Sequence, residues 1–257
     1  RLRTFDEGAA TYRSLFGMEP RFAEILAFQD IPDARDRPGV VLRHVDLSLR
    51  ASDRRSASLS ARLEVEPTVD GQRLLRFALL NQRDPRMRLW TSPENALHVR
   101  AVTDGEGRAL PFSHRHNELM VEPPEPAAAG SRRMLRVDYD GEILTALDCE
   151  RGDQYIELCS VPWFPQPDHE APPFTYTLTV VTPKPYLPVA SGTTTAFKET
   201  DQGFELESRS TTPARWIGVF AGRYRLHEAT EGGVRYRVHS YAMGTRATQE
   251  GLVRLGA

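Results

Sequence analysis

The chain has 257 residues, of which 40% are hydrophobic and 26% charged, a balance that excludes an intrinsically disordered polypeptide. A chain this long buries about 70–75% of the surface its unfolded form exposes, enough for a core without staples. Its 33 basic and 35 acidic residues leave a formal charge of -2, so no global field recruits nucleic acid, and no apolar run approaches the ~20 residues of a membrane-spanning helix.

Residues 1–38 carry helical spacing. Phe5, Ala9, Tyr12, Leu15 and Phe16 fall on one face, and Phe22, Ile25, Leu26 and Phe28 do so again after Gly17 and Pro20, which predicts two short helices. Asp30-Ile31-Pro32-Asp33 and Arg37-Pro38-Gly39 end this helical extension. Arg1 is not an initiator Met and no leader pattern follows it, so the expectation is a stretch of a longer polypeptide.

Over residues 39–242 the period changes to two. From Arg43 to Arg50 polar and apolar residues alternate almost strictly, and residues 57–66 do the same, as strands with one wet and one buried face require. Further strands are predicted at 74–80, 97–102, 119–121, 134–139, 155–158, 174–181, 193–198, 204–210, 215–220, 224–228 and 234–239. Asp70-Gly71, Asp104-Gly105, Asp140-Gly141, Gln202-Gly203 and Gly232-Gly233 supply turns between them. Thr211-Thr212-Pro213 is expected to close a hairpin between 204–210 and 215–220. So many short strands without helical patterns between them predict a mainly β fold, with antiparallel sheets packed as a sandwich or saddle. Residues 243–257 return to helical character, with Thr245 as N-cap, and are read as the start of a linker helix toward a further domain.

Known chemical motifs are incomplete. His114 and His116 lie two apart, on one face if extended, yet no nearby Cys or carboxylate completes a zinc site. His169-Glu170 is followed by Ala171-Pro172-Pro173, and proline forbids the helix that would bring a second His round. No Gly-x-Ser-x-Gly elbow and no phosphate-binding glycine loop occurs. Cys149 and Cys159 fit buried free thiols, or a pair if they sit on adjacent strands. Only Lys184 and Lys198 are lysines; Arg alternates with aromatic residues at Arg215-Trp216, Arg223-Tyr224-Arg225 and Arg235-Tyr236-Arg237. Near-zero net charge favours cross-strand Arg–Tyr pairs there over a single-strand nucleic-acid platform.

Three stretches together resemble one family. Leu135-Arg136-Val137-Asp138-Tyr139-Asp140-Gly141-Glu142-Ile143 is similar to the "l-x-v-x-Y-x-G-x-i" strand and turn in the amino-terminal domain of the aminopeptidase N and leukotriene-A hydrolase family of zinc metallopeptidases. Trp163-Phe164-Pro165, then residues 174–183 leading into Val189-Ala190-Ser191-Gly192, resemble its "W-y-P … F-x-x-x-v-x-v-P". Residues 214–224, Ala214-Arg215-Trp216-Ile217-Gly218-Val219-Phe220-Ala221-Gly222-Arg223-Tyr224, resemble the closing "f-x-x-G-x-y".

The resemblance implies a saddle-shaped, non-catalytic domain that helps form a substrate cleft. Its partners would be its own downstream catalytic domain and, through that, a peptide substrate. The family's His-Glu-x-x-His and Gly-x-Met-Glu-Asn motifs do not occur, and Tyr241-Ala242-Met243-Gly244-Thr245 lacks the Glu and Asn. No cofactor is therefore expected within this stretch, and zinc is expected in the downstream domain. The family's amino-terminal domain lends the active site one Gln or Glu before the W-y-P region; Glu157 matches that position, and Gln154 less well. A carboxylate there would pair with a substrate's α-ammonium. Two other readings stand beside this one. In the first, the parent lacks peptidase chemistry and the domain is an interaction scaffold. In the second, the chain is a free-standing peptide- or sugar-binding sandwich, which needs Trp163 or Trp216 on a wet face.

Overall fold

A computed structural model describes residues 39–52, 56–81, 97–115, 117–142, 154–158, 162–167 and 172–241. The expected terminal helices, both cysteines, His116 and His169 lie outside the described residues. The strands in chain order are β1 (Val40–Ala51), β2 (Ser56–Pro67), β3 (Leu75–Ala78), β4 (His98–Asp104), β5 (Phe112–Arg115), β6 (Glu118–Val121), β7 (Arg133–Glu142) and β8 (Gln154–Leu158). There follow β9 (Thr175–Pro183), β10 (Leu187–Ala190), β11 (Thr193–Glu199), β12 (Gly203–Arg209), β13 (Val219–Gly222), β14 (Tyr224–Glu231) and β15 (Val234–Tyr241).

Seven of them form one sheet in the order β11-β12-β9-β1-β2-β7-β4. Two three-stranded sheets, β10-β13-β8 and β3-β6-β5, and a separate ribbon, β14-β15, account for the other described strands. Alternation places Val45, Leu47 and Leu49 of β1 opposite Leu63, Ala61 and Leu59 of β2, all buried. Leu135, Val137 and Tyr139 of β7 and Tyr176, Leu178 and Val180 of β9 extend that inner face. It shares a single hydrophobic core with Leu75 and Phe77, Leu119 and Val121, Ile156 and Leu158, and Val219 and Ala221 of the two small sheets. Such burial at about 25 cal/mol per Å² of apolar surface is the main term holding the layers together.

The mainly β prediction holds, with three differences. The pairing of β1 with β9 is parallel, so the large sheet is mixed. A parallel neighbour needs a long connection, and here every strand from β2 to β8 intervenes in sequence. The hairpin expected across Thr211-Thr212-Pro213 does not form. β12 pairs with β9 and β11 in the large sheet, whereas β13 starts only at Val219 and pairs with β10 and β8. The alternating pattern on both sides of Pro213 is satisfied by two different sheets, a distinction that local sequence does not carry. Third, the expected Arg–Tyr pairing holds just before the ribbon, where the Arg223 guanidinium lies over the Tyr186 ring at 5.6 Å, but not between directly facing residues of the ribbon itself. Tyr236 lies opposite Ala229, Arg225 opposite Ser240, and Arg237 opposite Glu228, with its Nε donating to Glu228 Oε1 at 2.7 Å.

Candidate functional site

The sheet β10-β13-β8 carries both predicted positions. On β8, Ile156 lies opposite Ala221 and Leu158 opposite Val219, and all four are buried. Successive side chains in a strand point to opposite faces, so Glu157 between them is turned outward, where it is half-buried. It lies directly opposite Phe220, which in turn lies opposite Val189 of β10. Facing positions are ~5 Å apart, so a carboxylate, a phenyl ring and an isopropyl group form one row across the outer face. Gln154 is paired with Gly222 at the far end of β8, beyond a shift in register.

The chain entering β13 is fixed from both sides. Ser191 N–H donates to the Gly218 carbonyl at 2.9 Å, and Gly218 N–H donates to Ser191 Oγ at 2.9 Å. Ser208 Oγ donates to the Ser191 carbonyl at 2.9 Å. Trp163 is 2% exposed, and its indole N–H donates to the Ile217 carbonyl at 3.0 Å. Its own carbonyl accepts from Tyr139 Oη at 3.1 Å. Burial pushes the Tyr139 phenol well above its ordinary range, so it remains a donor at any physiological pH. The ring of Trp163 meets Phe164 edge-on at 5.1 Å, and Phe164 meets Phe174 in the same way at 6.0 Å. Trp163 therefore serves the core, which leaves Trp216, 53% exposed, as the one of the two candidate indoles that faces water.

His114 is also built into the fold. Its Nε2 lies 3.0 Å from the Leu79 carbonyl, and burial holds the imidazole below its ordinary pKa. Among the described residues no group of three or more His, Cys, Asp or Glu is placed to hold a metal ion, so these residues offer no donor set for zinc. No described helix is long and apolar enough to cross a membrane.

No family model and no curated protein matches the chain. Solved structures do match in fold. The M1 zinc metallopeptidase of Deinococcus radiodurans, in a mutant bound to a Tyr-Ser-Ala substrate, superposes with a TM-score of 0.60 at 20% identity, over 84% of this chain and 52% of its own. The same enzyme without that substrate gives 0.59 at 20% identity, over 85% and 52%. A two-domain M1 zinc metallopeptidase mutant bound to L-tryptophan gives 0.57 at 21% identity, over 78% and 47%. This chain thus spans about half the length of these proteins, and what it has in common with them at such identity is the fold.

Proposed function

We propose that this chain is the non-catalytic amino-terminal β-domain of a zinc-aminopeptidase-like protein, in which it helps to form the substrate cleft. Zinc and the hydrolytic residues belong, in this reading, to a downstream domain. Glu157 is the residue this domain lends to the cleft, accepting a charge-assisted hydrogen bond from the α-ammonium of a peptide. The observation that carries the role is its placement: a half-buried carboxylate, turned outward from the core on the end strand of a small sheet, beside an aromatic ring. Partial burial strengthens its attraction for a cation relative to open solvent, and fixed neighbours set the register of what binds. The shared fold with a peptidase solved with Tyr-Ser-Ala supports a peptide as the ligand class.

The test is a titration of the isotope-labelled chain with Tyr-Ser-Ala and with its N-acetylated form. Free tripeptide is expected to shift the β8 and β13 amides, acetylation to weaken binding about tenfold, and Glu157→Gln to remove the difference between the two forms. Equal binding of both peptides to the unmodified chain would refute the anchor. Incubation with amino-acid anilides and zinc should give no turnover, and zinc-dependent hydrolysis by this chain alone would overturn its non-catalytic assignment.

A further inference from the structure

We infer that β11, the open edge of the large sheet, docks a second copy of this chain as an antiparallel strand, with Phe197 opposite the partner's Phe197. No residue of the Glu157 reading takes part. In the order β11-β12-β9-β1-β2-β7-β4, β11 is terminal and pairs with β12 alone. The other terminal strand is partly covered: Leu110 N–H donates to the Val102 carbonyl at 2.8 Å, and Asp104 N–H to the Arg108 carbonyl at 3.0 Å. At β11, Thr200 N–H donates to the Gly203 carbonyl at 2.8 Å. Bonding alternates along an antiparallel ladder, so Lys198 and Ala196 turn their backbone groups toward β12. The N–H and C=O of Phe197 and Glu199 therefore point away from the sheet, where no described strand meets them. Such a row is a template for another strand.

Side chains decide which strand it takes. Phe197 is the one exposed phenylalanine among the described residues, and it lies on the core side of the sheet, stacked on Phe204 at 6.0 Å. On the opposite side Lys198 faces Glu205 and Ala196 faces Glu207. Lys184 is paired with Glu199 at 2.8 Å, whereas the side chains of Lys198 and Glu207 have no partner among the described residues. A twofold axis can centre on Phe197, Lys198 or Glu199. Centring on Lys198 sets two ammonium groups directly opposite each other, and centring on Glu199 does so with two carboxylates; both are destabilising. Centring on Phe197 places Lys198 opposite the partner's Ala196, a methyl group that leaves the way open to the partner's Glu207 in the next strand. Two strand spacings separate these positions by ~10 Å, within the joint reach of a lysine and a glutamate. Each copy thus gives its free lysine to the free carboxylate of the other. On the core side the two Phe197 rings and the Phe204 rings beside them form one apolar row. Lys198, which forbids the neighbouring register, fixes this one. About five residues from each copy meet, less than the ~1,200 Å² of total surface that stable interfaces bury, so the dimer is weak and forms only in concentrated solution.

Sedimentation velocity of the 257-residue chain tests this. The mass is expected to rise from that of one chain at about 5 μM toward that of two at about 500 μM. Lys198→Glu and Glu207→Lys should each weaken self-association about tenfold or more, because each sets like charges beside the partner's Ala196. An equimolar mixture of the two variants should associate again, since opposite charges then meet at both contacts. Phe197→Ser should weaken association in every background, and hydrogen exchange should show residues 197 and 199 protected only at the higher concentration. A chain that stays monomeric throughout, a dimer that both charge variants leave intact, or a mixture that associates no better than either variant alone overturns the interface.

Discussion

At the scale of single residues, several positions that carry the family resemblance are fixed by space and not by chemistry. Gly192 has φ of +86°, and a Cβ there would lie 2.5 Å from the Arg209 carbonyl oxygen and 2.7 Å from Tyr176 Oη. Neither neighbour can retreat. The first is strand backbone, and the second is a buried phenol hydrogen-bonded to Ser191. Only glycine combines that dihedral with that approach. Gly192→Ala is therefore expected to destabilise the fold by about 2–4 kcal/mol, the sum of left-handed strain and overpacking. Chemical denaturation checks it, and a loss below ~1 kcal/mol would show that the β10–β11 corner relaxes around the new methyl. Gly71, also at positive φ but with open space around it, should tolerate alanine better, because only the dihedral strain applies.

Among the elements, the one-sided strands were legible in the residues and the pairing was not. In β1 the phase of the alternation slips once, with Arg43 and His44 both polar between Leu42 and Val45, and the structure puts a bulge between Leu42 and His44 there. The same rule places Glu157 outward, since it sits between Ile156 and Leu158. By contrast, nothing local distinguishes β12 from β13 as members of different sheets, because burial on one face reads alike whichever sheet supplies it. The juxtaposition of Glu157 with Phe220, 63 positions later in sequence by subtraction of their numbers, is of that non-local kind.

Element positions also set local stability. All seven residues of β11, at the edge of the large sheet, are exposed, and Phe197 at 48% rests only its ring on Phe204 at 6.0 Å. Lys198 and Glu199 place charge on this edge, and Glu199 reaches Lys184 at 2.8 Å. Among the described side chains, the ribbon β14-β15 contributes none to the main core, and a lone two-stranded ribbon is marginal in water. Backbone amides of β11 and of the ribbon are accordingly expected to exchange with deuterium by local opening, about a hundredfold or more faster than the inner amides of β1 and β2, which open only with the whole fold. Equal protection in β11 and β1 would mean that the edge is covered by something other than β12.

For the molecule as a whole, the three sequence stretches that resemble one family meet in a single buried chain of hydrogen bonds. Tyr139 stands on the inner face of the large sheet, Trp163 lies between the layers, and Ile217 leads into the small sheet that bears Glu157. These residues couple one layer to the other, and the roles the hydrogen bonds give them are structural. Removing the indole donor leaves the buried Ile217 carbonyl unpaired, at a cost of about 1–3 kcal/mol, and Tyr139→Phe does the same to the Trp163 carbonyl. Trp163→Phe should therefore lower stability by about that amount. Tyr139→Phe and Trp163→Phe share the Trp163 residue, so their effects should couple by at least ~0.5 kcal/mol in a double-mutant cycle. Strict additivity of the two would mean that the layers are held by apolar burial alone, with no coupling through the Tyr139–Trp163–Ile217 chain of hydrogen bonds.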